Sequence, residues 1–128
     1  MLAGPYTTMI LADLGAEVVK IEQPKTGDST RNLLKDDPKY SLDGIGAYHL
    51  TLGRNKKSVE LDLKSEDDAK LFKELVAVAD VVVDNFSQGV TKRLGIDHQS
   101  LKKVNPKIIT CSISGFGDTE VNRPAYDN

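Results

Sequence analysis

The apolar positions of this chain change their period several times, which predicts an alternation of strands and helices. Residues 16–22 (AEVVKIE) and 107–114 (KIITCSIS) are rich in β-branched residues, as strands are. Residues 58–63 (SVELDL) alternate, so that Val59, Leu61 and Leu63 share one face of a half-exposed strand. The run of valines at 81–83 is typical of a strand buried on both faces, yet it ends abruptly on Asp84, Asn85 and Phe86.

The segments between these strands have helical patterns. Residues 4–15 predict a short helix that stops at Gly15, and residues 47–53 favour another that ends at Gly53. A helix begins after Ser65 and carries one apolar stripe, formed by Ala69, Phe72, Leu75, Val76 and Ala79. Two shorter helices follow at 89–96 and 97–106, the second capped by Asp97. Residues 23–46 are rich in Pro, Gly, Asp and Ser, and we expect a long loop there, with one helical turn near 31–34.

Strand and helix alternate at a spacing that favours parallel strands joined by helical crossovers. We therefore predict an α/β fold with a Rossmann-like, open, mostly parallel sheet, flanking helices and a single domain over residues 1–128. Ligands of such sheets bind outside the carboxyl ends of the strands. The segments that follow the two buried strands, residues 84–86 and 114–117, should lie side by side at that edge.

The composition of the chain limits the partners and the cellular compartment that we expect for it. The net charge of −2 and the absence of an apolar run of about 20 residues indicate neither a nucleic-acid partner nor a membrane. The single cysteine, Cys111, lies in an apolar run and is expected in the core of a protein from a reducing, cytoplasmic compartment. No cysteine or histidine spacing indicates a metal. His49 and His98 are interpreted as surface or capping residues.

The richest candidate chemistry lies in residues 85–95 (NFSQGVTKRLG). Asn85 offers both donors and an acceptor, and the turn at 87–89 opens a helix whose amide groups could receive a phosphate. Arg93 follows, and a guanidinium suits phosphate. A capped helix with a solvated arginine explains the same residues equally well. Lys64 ends the alternating strand in a similar way.

Six segments in this order resemble the family III CoA-transferases, the group that includes formyl-CoA:oxalate and carnitine CoA-transferases. The segments are AGPYTTMILADLGAEVVKIEQP, GDSTR, RNKKSVELDLKS, ADVVVDNFSQGVTKRLGI, NPKIITCSISGFG and RPAYDN. The α-methylacyl-CoA racemases share the fold of that family.

The resemblance implies coenzyme A as the cofactor, without a metal, and it implies a set of contact residues. Leu2 and Ala3 fall in the turn that touches coenzyme A, and Gln23 stands where an arginine commonly meets the adenosine phosphate. Residues 61–64, including Leu61 and Lys64, match the adenine pocket. The remaining implied contacts are Asn85, Phe86, Ser87, Arg93, Leu94 and Tyr126, the last near the pantetheine arm.

Departures from the family pattern suggest an N-terminal part of such an enzyme. The chain is much shorter than family members, lacks the strand that precedes AGP, and has no match to the nucleophilic aspartate, since Asp118 and Asp127 fall in other motifs. The resemblance implies an acyl-CoA and a carboxylic acid as substrates, a homodimeric full-length protein, and a chain that is inactive alone. AYD at 125–127 replaces the Gly-His-Asp of racemases, which favours transfer over an isomerase. A non-catalytic module for coenzyme A or nucleotide, or a remnant without ligand, remain alternatives.

Overall fold

The structure is a computed structural model that describes residues 2–117. The chain divides into two compact units, residues 1–62 and residues 63–128, and each is described by itself. The organisation as a single domain therefore stays a prediction.

The first unit is built around one pair of parallel strands. Strand β1 pairs with β4 in a register that runs from Val18 opposite Lys56 to Glu22 opposite Glu60. A small antiparallel hairpin, β2 and β3, precedes the second helix. The elements are α1 (Ala3–Asp13), β1 (Val18–Glu22), a 3₁₀ turn (Ser29–Arg31), β2 (Ser41–Leu42), β3 (Ile45–Gly46), α2 (Ala47–Gly53) and β4 (Lys56–Glu60).

The core of the first unit lies where its helices meet the strand pair. Met9 and Ala12 of α1, Leu52 of α2 and Leu61 after β4 are its buried apolar residues. Lys56 is half-buried, and its ammonium donates to the Pro5 carbonyl at 2.7 Å and to Thr8 Oγ1 at 2.8 Å, which ties β4 to the first turns of α1. Burial of the ammonium, together with the nearby charge of Lys20, lowers the pKa of Lys56.

The second unit contains the other parallel pair, in which β5 lies beside β6 with Val81 opposite Ile109 and Asp84 opposite Ser112. Its buried core consists of Phe72, Val76, Ile96, Leu101 and Ile108. Its elements are α3 (Glu66–Val78), β5 (Val81–Asp84), α4 (Val90–Leu94), α5 (His98–Lys102) and β6 (Ile109–Ser112).

Local sequence explains how the helices of the second unit begin and end. Ser65 is the N-cap of α3, as predicted, although its side chain makes no capping hydrogen bond, and three acidic residues in the first turn favour the helix dipole. Asp97 caps α5 by accepting from the amides of Gln99 and Ser100. Asn105 then donates to the carbonyls of Val76 and Ala79, at 3.1 and 2.8 Å, and closes the end of α3.

The α/β class predicted from the sequence is confirmed, because each unit has a parallel strand pair joined through helices. The helices at 3–13, 47–53 and 66–78 are confirmed within a few residues of their expected bounds. The wider Rossmann-like open sheet stays a prediction.

Two expectations about burial were wrong. The β5 and β6 strands are not buried on both faces, since Val81 is 44% exposed and Ile109 is 61% exposed. Cys111 of β6 is exposed rather than part of the core. A strand is buried on both faces only when a packed layer covers each, and the described residues leave this pair partly uncovered.

The long loop also differs from the expectation. Residues 23–46 contain a 3₁₀ turn at Ser29–Arg31 and the β2–β3 hairpin, whose strands are too short for a periodic signal.

His49, expected at the surface or as a cap, is buried on α2 with 8% of its surface exposed. None of the helices within residues 2–117 combines the length and apolar character needed to cross a membrane.

A close backbone contact at Gly46 generates a stability prediction. A Cβ at this position would lie 1.9 Å from the Leu33 carbonyl oxygen, so Gly46→Ala must displace backbone. We expect a loss of about 2–3 kcal/mol in the free energy of unfolding, measured by urea denaturation. Gly44→Ala is the matched control, because Gly44 has φ +75° but open space around its Cβ position. Gly44→Ala should lower the free energy of unfolding by about 1 kcal/mol. Equal losses of unfolding free energy in the two variants would contradict the steric explanation.

Candidate functional site

An open cavity of about 410 Å³ lies in the second unit, between the start of α3 and the end of α4. Lys64, Arg93 and Leu94, all predicted from the sequence as ligand contacts, line it together. The other lining residues are Leu63, Ser65, Glu66 and Ala69. The structure thus brings Lys64 beside Arg93 and Leu94, which lie about thirty positions further along the chain. The cavity combines two cationic side chains, one carboxylate side chain from Glu66, and an apolar wall.

Two glycines with left-handed backbone define the short helix α4 that carries Arg93. Gly89 at its start has φ +78° and Gly95 at its end has φ +65°, a conformation that other residues rarely adopt. The Gly95 amide donates to the Lys92 carbonyl at 3.1 Å, and the Ile96 amide donates to the Thr91 carbonyl at 2.9 Å. Because Ile96 is buried, this C-terminal turn is anchored to the core of the unit.

Arg93 differs from the other arginines that the structure describes. Arg31 pairs with Glu22 and Arg54 pairs with Asp13, whereas Arg93 has no carboxylate within ion-pair distance among residues 2–117. Arg93 is also exposed. A guanidinium in this position suits an anionic ligand that enters the cavity.

The polar corner after β5 holds the ends of the two strands together. The Ile113 amide donates to the Asp84 carbonyl at 2.9 Å, and the Asn85 side-chain amide donates to the Ile113 carbonyl at 2.7 Å. Ser112 Oγ donates to Asp84 Oδ2 at 2.5 Å. The two strand ends are adjacent, as predicted. The polar residues that follow the valines join these ends through side-chain hydrogen bonds.

The other residues of this corner are exposed. Phe86 is 42% exposed, and its amide donates to Asp84 Oδ1 at 3.2 Å. The Ser87 carbonyl accepts from the Val90 amide at 3.2 Å, so one of the first amides of α4 already has a partner. With only five residues, α4 offers a weaker anion site at its N-terminus than the sequence suggested.

The predicted contacts of the first unit lie at the start of α1, directly after β1 and directly after β4. Leu2 and Ala3 begin α1 and are exposed, and Gln23 is exposed directly after β1. Leu61 is 6% exposed and belongs to the core, so its side chain offers little surface to an adenine. Tyr126 lies outside the described residues. All the predicted coenzyme A contacts stay predictions.

A cluster of charged side chains that sequence reasoning missed lies at the carboxyl end of β1. The Glu22 carboxylate, with 2% of its side chain exposed, accepts four hydrogen bonds. Arg31 donates two from Nε and Nη2 at 2.7 and 2.8 Å, Ser58 Oγ donates one at 2.8 Å, and the Asp28 amide donates one at 2.8 Å. Mainly the Arg31 hydrogen bonds, opposed by burial, lower the pKa of Glu22 to about 2.

The cluster continues through Asp28 to His49. Asp28 pairs with Lys20 and accepts from the Thr30 amide at 2.8 Å and the Thr30 hydroxyl at 2.7 Å. The Thr30 hydroxyl lies 3.2 Å from His49 Nδ1. Because this hydroxyl donates its one hydrogen bond to Asp28, it acts as the acceptor for an N–H group at His49 Nδ1. Burial, and then the charges of Arg31 and Lys20, lower the pKa of His49. The only signal in the sequence was the GDSTR segment, to which spacing alone assigned no role.

The described residues offer no evident group of metal ligands. Across residues 2–117 no three His, Cys, Asp or Glu side chains are grouped so that they could hold a metal ion. His98 is exposed, and its Nδ1 lies 3.1 Å from the Thr110 hydroxyl.

Comparison with known proteins identifies the family. The chain matches CoA-transferase family III over residues 1–128. It is 42% identical to human (Homo sapiens) succinyl-CoA:glutarate CoA-transferase, and the match covers 99% of this chain and 28% of that protein. It is 44% identical to succinyl-CoA:mesaconate CoA-transferase of Haloarcula hispanica, over 99% of this chain and 33% of that protein. It is also 44% identical to acetyl-CoA:oxalate CoA-transferase of Acetobacter aceti, and the match covers 99% of this chain and 32% of that protein.

Solved structures agree with this result. A CAIB/BAIF family protein from Brucella suis superposes with a TM-score of 0.88 at 42% identity, over 98% of this chain and 34% of that chain. A hypothetical protein from Mycobacterium tuberculosis gives a TM-score of 0.84 at 33% identity, with 98% and 34% covered. The chain belongs to CoA-transferase family III, and it spans about a third of the length of these relatives.

The Glu22 cluster generates a prediction about acid stability. A carboxyl whose pKa is depressed in the folded state stabilises the protein above its unfolded pKa of about 4.3, and this contribution is lost as the pH falls towards 2. Between pH 5 and pH 2, the free energy of unfolding of wild type should therefore fall by up to about 3 kcal/mol more than that of Glu22→Gln. Urea denaturation at each pH measures both values.

The control for this experiment is Glu74→Gln, at an exposed position of α3. Its pH dependence should follow that of wild type. If Glu22→Gln also retains the full wild-type slope, the carboxylate does not stabilise the fold in the way its hydrogen bonds indicate.

Proposed function

We propose that this chain provides coenzyme A binding in a CoA-transferase that moves coenzyme A between an acyl-CoA and a carboxylic acid. The observation that carries the proposal is the cavity shared by Lys64, Arg93 and Leu94, in which the Arg93 guanidinium has no carboxylate partner among the described residues. Two cations suit the phosphates of a nucleotide, and the apolar wall suits an adenine or the pantetheine arm. Membership of the family supports the same conclusion.

The proposed reaction is covalent and needs an aspartate that lies outside this chain. Its carboxylate attacks the acyl-CoA thioester, forms a mixed anhydride and releases coenzyme A as the thiolate. The thiolate attacks the aspartyl carbonyl, which gives an aspartyl-CoA thioester and frees the donor acid. The acceptor carboxylate then attacks that thioester, which forms a second mixed anhydride and releases the thiolate again. The thiolate attacks the acceptor's carbonyl in this anhydride, which gives the new acyl-CoA and restores the aspartate. Residues of this chain would hold the nucleotide while these exchanges occur.

The substrates proposed for the whole protein are an acyl-CoA and a short carboxylic acid. The relatives named above carry succinyl-CoA or acetyl-CoA as donor in their names, and glutarate, mesaconate or oxalate as acceptor. These acceptors are all dicarboxylic acids, so an acid of that class is the first choice for an assay. We further propose a cytoplasmic protein that forms a homodimer at full length.

Titration calorimetry with coenzyme A tests the proposed site. Arg93→Ala should weaken binding about tenfold, because a guanidinium that contacts phosphate loses a charge-assisted hydrogen bond. Lys92→Ala is the matched control, since Lys92 is an exposed cation of the same helix that does not line the cavity. It should bind like wild type. Equal affinities for Arg93→Ala and wild type would contradict the assignment.

The location of the nucleophile is tested by an activity assay on the pure chain. We expect no transfer of coenzyme A from succinyl-CoA to glutarate, mesaconate or oxalate, because the proposed aspartate is absent. Chromatographic separation of the acyl-CoA products would show this directly. Turnover above the uncatalysed rate would mean that a residue of this chain performs the chemistry.

A further inference from the structure

His49 is a buried titratable side chain that the proposed function does not use. It lies in the middle of α2, and only 8% of its surface is exposed. A Cβ on Gly53, one helical turn further on, would lie 3.4 Å from His49 Nε2, so the last turn of α2 lies close to this edge of the ring. The imidazole therefore has little contact with water, and its charge depends on the groups around it.

A hydrogen bond from His49 joins α2 to the loop at 23–46. Thr30, which is 1% exposed, lies in the 3₁₀ turn of this loop. Its hydroxyl donates to Asp28 Oδ1 at 2.7 Å, so it accepts from His49 Nδ1, which lies 3.2 Å away. Because Nδ1 carries a proton in this arrangement, Nε2 is the nitrogen whose protonation changes with pH.

The loop and α2 are also in direct backbone contact. A Cβ on Gly46, the residue before α2, would lie 1.9 Å from the Leu33 carbonyl oxygen and 3.3 Å from that of Thr30. Thr30 and Leu33 are themselves joined, since the Leu33 amide donates to the Thr30 carbonyl at 3.3 Å. A charge that appears on His49 thus acts at a closely packed junction between the loop and the helix.

Two cations and two carboxylates lie around this junction. Arg31 pairs with Glu22, and Lys20 pairs with Asp28, so the four charges compensate one another while His49 is neutral. A proton on Nε2 would give the cluster a net positive charge. Burial, and then the charges of Arg31 and Lys20, lower the pKa of His49, although the two carboxylates oppose this effect.

The other elements packed against α2 carry few titratable groups. Strand β3 contains none, and α1 contains Tyr6 and Asp13. Asp13 pairs with Arg54, which follows the last residue of α2. Within α2, Tyr48 is the other titratable residue. The charge balance around His49 is therefore set mainly by the loop and by β1.

The two carboxylates of the cluster keep their charge in mild acid. Hydrogen bonds from Arg31, opposed by burial, lower the pKa of Glu22 to about 2. Although burial opposes it, hydrogen bonds from Lys20 and Thr30 lower the pKa of Asp28 as well. Between about pH 7.5 and about pH 5, His49 is consequently the group of this cluster whose charge is expected to change.

We propose that His49 is a pH-sensitive switch that holds the loop at 23–46 closed while its imidazole is neutral and releases it in mild acid. In the opened loop the imidazolium reaches water, and its charge is no longer confined beside Arg31 and Lys20. Because the closed loop binds the proton more weakly than the opened one, its stability is fully present above the ordinary histidine value of about 6.5 and is lost as the pH falls below it. This switch does not depend on coenzyme A binding.

Hydrogen exchange between about pH 7.5 and about pH 5, corrected for the intrinsic pH dependence of exchange, tests the proposal. In wild type, the opening constant reported by the Asp28, Thr30 and Arg31 amides should rise about fivefold to thirtyfold towards acid, because the opened imidazole takes up a proton. Amides in the middle of α3, in the second unit, are the internal control and should show no such rise.

Two variants remove the titrating group and keep a side chain of similar size. His49→Gln retains a donor for the Thr30 hydroxyl, and His49→Phe retains an aromatic ring. In both, the opening constant of the loop should change less than about twofold over the same pH range, because no group with a pKa near about 6.5 remains in the cluster. His98→Gln, at the exposed histidine of α5, is the matched control and should retain the wild-type rise.

NMR titration of the His49 ring in wild type gives a measurement that needs no variant. The ring should titrate below about pH 6.5, as the closed loop disfavours the proton. A midpoint at or above this value would overturn the proposal. So would a rise in His49→Gln equal to that in wild type, since another group would then open the loop. Equal loss of protection in the loop and in α3 would show global unfolding in acid and would exclude a local switch.

Discussion

A buried carboxylate that accepts four hydrogen bonds organises the loop that follows β1 in the first unit. Glu22 ends β1 inside the protein, where an ionised carboxyl without partners would be costly. The two-pronged pair with Arg31, the Ser58 hydroxyl and the Asp28 amide offset that cost. Because these donors come from the following loop and from β4, the same carboxylate closes the loop and joins it to the strand pair.

The consequences reach residues that do not touch Glu22. Asp28, held by its amide, is placed to cap the 3₁₀ turn and to accept from the Thr30 hydroxyl, which in turn faces His49 on α2. Gly27 has φ +62°, and a side chain at this position would require the Arg31–Glu22 pair to shift. A single charged group in the interior therefore determines the conformation of the loop at the edge where a ligand is expected.

In both units, some cations are held by partners within the fold, whereas others are exposed. Arg31, Arg54 and Lys20 pair with carboxylates, and Lys56 donates to the α1 backbone. Arg93 and Lys25 are exposed and have no carboxylate partner among the described residues. Family membership is shown for the whole chain, but the chain spans about a third of its relatives. The transfer reaction of the whole protein therefore stays a proposal.

The order of strands and helices was determined by the sequence itself, because periodicity, capping residues and glycine stops act over a few neighbouring positions. These signals located α1, α3 and β1 and brought the Asn85 corner beside the end of β6. Six ordered segments were also enough to identify the family. Spacing alone, however, left Arg93 undecided between a solvated arginine and a ligand contact.

What only the tertiary structure decided was which polar groups meet across long separations. The Glu22 carboxylate accepts from Ser58, thirty-six positions away, and Thr30 meets His49 nineteen positions further along the chain. Burial of the β5 and β6 faces and of Leu61 likewise depended on neighbours that no local pattern specifies. Hydrogen bonds and burial are set by distances in space, whereas propensity and periodicity are set by distances along the chain.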